Sequence, residues 1–182
     1  MKKKILKELM STAIYLLVVL GLTWLLITYV IQRTEVDGSS MEPTLSSGDN
    51  LFVDKISYRF HDPERFDIIV FPFRYKENTF YIKRIIGMPG ETVQIDTDGS
   101  IYINGEKLSE SYGKEIIRPE TIGRAINPIV LGENEYFVMG DNRNNSSDSR
   151  TEAVGNISRS DIIGRAWIRI WPFKDMGILK HQ

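Results

Sequence analysis

Residues 37–45 read DGSSMEPTL, a polar Gly-Ser-Ser turn placed soon after a long apolar run. A serine in such a turn is a candidate nucleophile, but its hydroxyl is inert until a base takes the proton. Histidine is the usual base, and the chain holds only His61 and His181. There is no cysteine, which excludes disulfides, thiolate metal sites and a cysteine nucleophile. Two histidines so far apart also argue against a metal-activated water. No metal and no other cofactor is expected.

A second cluster offers a different base. In TFYIKRIIGM, residues 79–88, Lys83 and Arg84 are consecutive within an apolar strand. Alternation puts Tyr81, Lys83 and Ile85 on one face, and Ile82, Arg84 and Ile86 on the other. One of the two charges must then sit on, or reach out of, any inward face. A lysine walled by Phe, Tyr and Ile is pushed toward the neutral amine, because burial withholds the water that stabilises an ammonium. The third cluster, GDNRNNSSDSR at 140–150, carries Asp141, Arg143, Asp148 and Arg150. Such Asp–Arg pairs can fix a turn by two-point hydrogen bonds. Each cluster also has a plainer reading: Ser39 and Ser40 as helix caps, Lys83 as a solvated charge, 140–150 as a wet loop. Three Asn-X-Ser triplets, at Asn144, Asn145 and Asn156, fit the glycosylation pattern, which is too short and common to argue from.

The elements that position these clusters begin with an apolar stretch. Lys2, Lys3, Lys4 and Lys7 precede residues 12–31, TAIYLLVVLGLTWLLITYVI, which carry no charge. About 20 apolar residues at 1.5 Å each span a hydrocarbon core of roughly 30 Å. The run is longer than a secretory signal core, and IQRTEVDG follows it without a small-x-small site, so it reads as an uncleaved anchor in a lipid bilayer. The lysine asymmetry places residues 1–11 in the cytoplasm and residues 34–182 outside, at a plasma membrane.

Beyond the anchor the texture changes to short β runs between turn signals. NLFVDKIS, FDIIVFPF, TFYIKRIIGM, ETVQID, SIYING, NEYFVMG and IIGRAWIRIW all read as strands. Asp98-Gly99 and Asn104-Gly105 read as hairpin turns, which makes ETVQID, SIYI and EKL a small meander. Residues 109–132 show no period and read as an irregular insertion. The expected fold class is mostly β: an antiparallel β-sheet catalytic domain with one N-terminal transmembrane helix. A net charge of −1 gives no electrostatic argument for nucleic acid.

DGSSMEPTL, FDIIVFPF, YIKRIIGMPGE and GDNRNNSSDSR, in that order after one anchor, resemble bacterial type I signal peptidase, in its short single-anchor form typical of Gram-positive bacteria. The resemblance runs from residue 10 to about residue 172. It implies Ser40 as nucleophile and Lys83 as general base, so that no histidine is needed. It also implies Ser146 as the serine that hydrogen-bonds and orients the lysine amine. Asp141, Arg143, Asp148 and Arg150 would form the supporting scaffold, with Arg84 beside the base. By the same resemblance the substrates are membrane-held preproteins with small residues at −1 and −3, bound as a strand between Val36-Asp37-Gly38-Ser39 and Tyr81-Ile82. Two positions depart from the family. Gly38 stands where some forms carry an oxyanion-hole serine, and Arg65-Phe66-Asp67 replaces the usual Arg-Gly-Asp. The rival readings are another Ser-Lys protease, such as a self-cleaving repressor, and a catalytically silent tethered β-domain that binds exported chains or assembles a surface complex. The anchor and the absence of a DNA-binding N-terminal domain argue against the first, and intact Ser40 and Lys83 against the second.

Overall fold

The computed structural model describes residues 2–180, so His181 lies outside the described residues. Leu-rich sequence without proline forms α1, Lys2–Tyr29. From Lys3 to Leu25 every residue of it is exposed. The stretch Lys3–Tyr29 is long and apolar enough to cross a membrane. Its C-terminal carbonyls are met by Lys55, whose Nζ donates to Thr28 O at 3.0 Å, a favoured place for a cation. The chain then enters β1, Ile31–Glu35, almost at once. Ile31 therefore belongs to a strand, not to the end of the apolar helix.

The remaining strands are β2 (Asn50–Asp54), β3 (Ile68–Pro72), β4 (Phe80–Gly87), β5 (Thr92–Ile95), β6 (Ile101–Ile103), β7 (Glu106–Lys107), β8 (Ile129–Val130), β9 (Glu135–Met139), β10 (Ile157–Ser158), β11 (Gly164–Trp171) and β12 (Gly177–Ile178). They form two antiparallel sheets. The larger runs β1-β2-β11-β3-β4-β9-β10, with β12 paired to β11, and the smaller runs β7-β6-β5-β8. The meander expected from the sequence is β5-β6-β7, and Asn104 and Gly105 turn it with φ of 53° and 84°, the pair of positive values that a tight two-residue hairpin needs.

Three apolar clusters hold this arrangement. Val36, Met41, Leu45, Val53, Ile82 and Ala166 pack the segment around residue 40 against the large sheet. Ile69, Phe71, Ile85 and Val138 fill the region around β3, β4 and β9. Ile86, Val93, Ile101, Ile117, Ile122 and Phe137 join the small sheet and the 109–132 insertion to β4 and β9. Strand β4 contributes to all three, so its side chains are enclosed from several directions. That explains why both of its charges, not one, are buried.

Candidate active site

The Ser40 turn is fixed from below and from within. Met41 and Leu45 are buried in the core, and Leu45 N donates to Met41 O at 2.9 Å while Glu42 N donates to Ser39 O at 3.1 Å. Gly38 adopts a φ of +96°, a conformation that costs a side-chain-bearing residue energy. The GDNRNN loop supplies further ties. Asn142 N donates to Ser40 O at 3.1 Å, Asn142 Nδ2 to Ser39 O at 3.0 Å, and Asn145 Nδ2 to Ser39 Oγ at 3.0 Å. Gly140 makes this loop possible, because a Cβ there would stand 2.3 Å from Ser40 O.

Strand β4 brings Lys83 to the turn. Its Nζ lies 2.8 Å from Ser40 Oγ and donates to Ile82 O at 2.9 Å. Lys83 is 4% exposed. Burial pushes its amine down to about 8, while Asp148 and then Asp141 pull it back toward the charged form. Both aspartates are themselves matched. Arg84, fully buried, donates to the two oxygens of Asp141 at 2.9 and 2.7 Å, and Arg150 donates to those of Asp148 at 2.8 Å each. Thr44 Oγ1 adds a bond to Asp141 at 2.6 Å, and Asp148 accepts from Gly140 N at 3.0 Å. The carboxylates thus order the loop while each is ion-paired to a buried arginine, which opposes its pull on Lys83.

Ser146 differs from expectation. Its Oγ is buried but makes no hydrogen bond to the Lys83 amine or to any other group among the described residues. The amine bonds the carbonyl of its own strand as well as Ser40 Oγ, and Ser146 Oγ packs against Gly140, where a Cβ would meet it at 2.3 Å. Arg143 pairs outside its own motif, with both Nη groups donating to Glu110. Phe66 keeps a left-handed turn without glycine, at φ 72°. Its ring is buried against Tyr112 and its carbonyl accepts from Arg84 Nη1 at 2.9 Å.

An open cleft of about 630 Å³ runs past the pair. Val36, Asp37, Gly38 and Ser39 line one wall and Tyr81, Ile82 and Lys83 the other. Residues Ile68 to Pro72 of β3 pair with Arg84 to Phe80 on one edge of β4, but β9 meets the other edge only from Arg84 onward. Among the described residues, the edge of 80–83 on the β9 side therefore has no strand partner. It is a place where an extended chain can add main-chain bonds. No group of three or more His, Asp or Glu side chains is placed to hold a metal among the described residues.

Thr44, Asn142 and Asn145 were not singled out by sequence reasoning, although each stands inside a quoted cluster. Their signal is position alone, since a polar residue in a motif loop does not reveal which backbone group it meets. Glu110 and Tyr112 had no such signal.

The sequence has counterparts among known proteins. Residues 7–171 match the family described as signal peptidase, peptidase S26. The chain is 41% identical over 157 residues to a probable signal peptidase I-2 of Synechocystis, covering 84% of this chain and 68% of that protein. It is 38% identical over 169 residues to a signal peptidase I of Bacillus licheniformis, covering 90% and 88%. It is 40% identical over 146 residues to signal peptidase I T of Bacillus subtilis, covering 78% and 74%. With a family match that spans nearly the whole chain, and with relatives matched over most of their own length, this chain belongs to the signal peptidase family, peptidase S26.

Proposed function

We infer that the protein is a membrane-anchored serine endopeptidase that removes signal peptides from exported preproteins with a Ser40–Lys83 dyad. Family membership supports signal-peptide removal by a serine peptidase. The observation that carries the dyad is the 2.8 Å approach of a buried lysine amine to Ser40 Oγ. A lysine titrating near 8 is neutral in about one molecule in ten at pH 7, against about one in two thousand for an ordinary lysine.

Neutral Lys83 takes the Ser40 proton as Oγ attacks the scissile carbonyl, giving a tetrahedral oxyanion and then an acyl-enzyme. The lysine proton goes to the departing amine. Lys83, neutral again, then takes a proton from the water that hydrolyses the ester. Gly38 offers no side-chain donor, so the oxyanion rests on Ser40 N–H and a further donor beside it. The preprotein lies extended between 36–39 and 81–82, with small residues at −1 and −3, and pairs with the open edge of β4. The apolar helix, from residue 12 to its end at Tyr29, anchors the domain 34–182 at the outer face of the plasma membrane, with residues 1–11 in the cytoplasm. An apolar helix with every residue exposed from Lys3 to Leu25 is stable in lipid and costly in water. Anchoring then raises the encounter rate with a substrate held in the same bilayer.

The test is cleavage of a signal-peptide substrate by purified, detergent-solubilised protein. The wild type is expected to cut at the end of the signal peptide, and Ser40→Ala and Lys83→Ala to lose essentially all activity as two parts of one unit. More than about a tenth of wild-type turnover in either variant would sink the dyad.

A further inference from the structure

The stretch from Ser109 to Arg118 has no regular secondary structure and contributes nothing to the wall of the cleft. Three of its alternate residues nevertheless grip three separate parts of the site. Glu110 receives both Nη groups of Arg143, which is only 2% exposed. Tyr112 lays its ring on the Arg84 guanidinium, with Cζ 3.7 Å from the ring centroid. Lys114 Nζ pairs with Glu42 at 2.8 Å, and its backbone N donates to Asp141 O at 2.8 Å. Glu42 stands two residues after Ser40, Arg84 one after Lys83, and Asp141 and Arg143 lie in the loop that holds Ser39 and Ser40.

These contacts differ in weight. The Lys114–Glu42 pair is partly exposed, and such pairs contribute little. The buried ones matter more, since a guanidinium sealed from water needs its partner. Arg143 without Glu110 would be a buried charge with no carboxylate, and it would pull on Gly140 O, its remaining acceptor at 3.2 Å. Gly140 is the residue against which the Ser40 carbonyl packs. Arg84 without the Tyr112 ring would open to water beside Asp141.

We propose that Glu110, Tyr112 and Lys114 form a positioning strap that fixes the back of the Ser40–Lys83 site and governs the rate of the chemical step without touching the substrate. The proposal rests on the dyad reading above. The strap clamps the nucleophile turn, the base strand and the 140–150 loop in one place. It acts on kcat because none of its residues lines the cleft.

The experiment measures kcat and KM on the full-length, detergent-solubilised enzyme with a signal-peptide substrate. Tyr112→Ala and Glu110→Ala are each expected to lower kcat on the order of tenfold or more, with KM within about twofold of wild type. Tyr112→Phe, which keeps the ring, recovers most of the loss. The rising limb of the Tyr112→Ala pH profile moves upward. Water then reaches the Arg84 guanidinium, and the Asp141 charge, which favours a protonated Lys83, is less well matched by it, while Asp148 and Arg150 are unchanged. If Tyr112→Ala does not fold, Tyr112→Leu fills the space without the π face and is read the same way. Folded variants with wild-type kcat, or with the loss confined to KM, overturn the strap alone. A Ser40→Ala protein that still cleaves overturns the dyad and the strap's role with it.

Discussion

Arg84 and Asp141 face each other in a two-point ion pair, at 2.9 and 2.7 Å, one residue along the strand from Lys83. Asp141 favours a protonated lysine, and Arg84 opposes that pull because it is ion-paired to the same carboxylate. The arginine therefore helps to keep Lys83 neutral although it makes no hydrogen bond to Ser40. Activity should rise with pH along a limb near 8, the value to which burial brings Lys83. In Arg84→Met the unmatched Asp141 should move that limb upward. A pH–rate profile checks both; a wild-type limb near 10 would mean that Lys83 titrates as an ordinary solvated lysine.

Lys83→Arg should be as inactive as Lys83→Ala. A guanidinium stays protonated at any working pH, so it can offer charge but accept no proton. Substantial turnover by the arginine variant would show that position 83 acts as a charge, and the general-base step would have to be abandoned.

Gly140→Ala tests the contact between the loop and the Ser40 turn. Its Cβ would lie 2.3 Å from Ser40 O, a backbone atom that cannot step aside without moving Ser40. Overpacking of this kind costs about 1–3 kcal/mol of stability. A nucleophile displaced by even 1 Å loses on the order of a hundredfold in rate. Single-turnover cleavage alongside thermal unfolding separates the two effects, and an unaltered rate would mean that the turn yields freely.

The parts that sequence reasoning reached are those with a local signature. Lys83 and Ser40 interrupt apolar stretches, so each stands out against its own neighbours. The meander was legible because Asp-Gly and Asn-Gly turns encode their φ values locally. Strand β1 was not, since IQRTE has no alternation and is held by backbone pairing with β2 from Ile31–Asp54 to Glu35–Asn50. The Ser146 bond expected from the resemblance is absent although Lys83 Nζ bonds only Ser40 Oγ and Ile82 O, because the side-chain orientation that decides it is set by the packing around Gly140, which a sequence motif does not encode. The partners of Arg84 and Arg143 escaped because Tyr112 and Glu110 sit in a stretch without period and meet them only across the fold, by a ring contact and an ion pair.

Topology follows from charge. With Lys2, Lys3, Lys4 and Lys7 ahead of the apolar run, the N-terminus should stay inside and the β domain should face out. Protease added to intact protoplasts should digest the domain and spare the lysine-rich end. Complete protection of the domain would invert the arrangement.

The same burial that activates Lys83 should weaken the fold. The amine titrates near 8 when folded and near 10.5 when unfolded, so between those values the unfolded chain holds more protons. Below about pH 8 the full cost of the buried ammonium is present, on the order of 3 kcal/mol, and it fades as pH rises toward 10.5. Lys83→Met removes the titrating group while filling its space. It leaves Ser40 Oγ and Ile82 O short of a partner, a loss that does not depend on pH in this range. The stability of Lys83→Met relative to wild type should therefore be greatest and level below pH 8, then fall steadily to about pH 10.5. Denaturant midpoints of the two proteins, taken side by side so that all other titrations cancel, give the difference directly. A difference that stays constant from pH 7 to 10.5 would mean that Lys83 feels no desolvation, and the explanation of its basicity would fail.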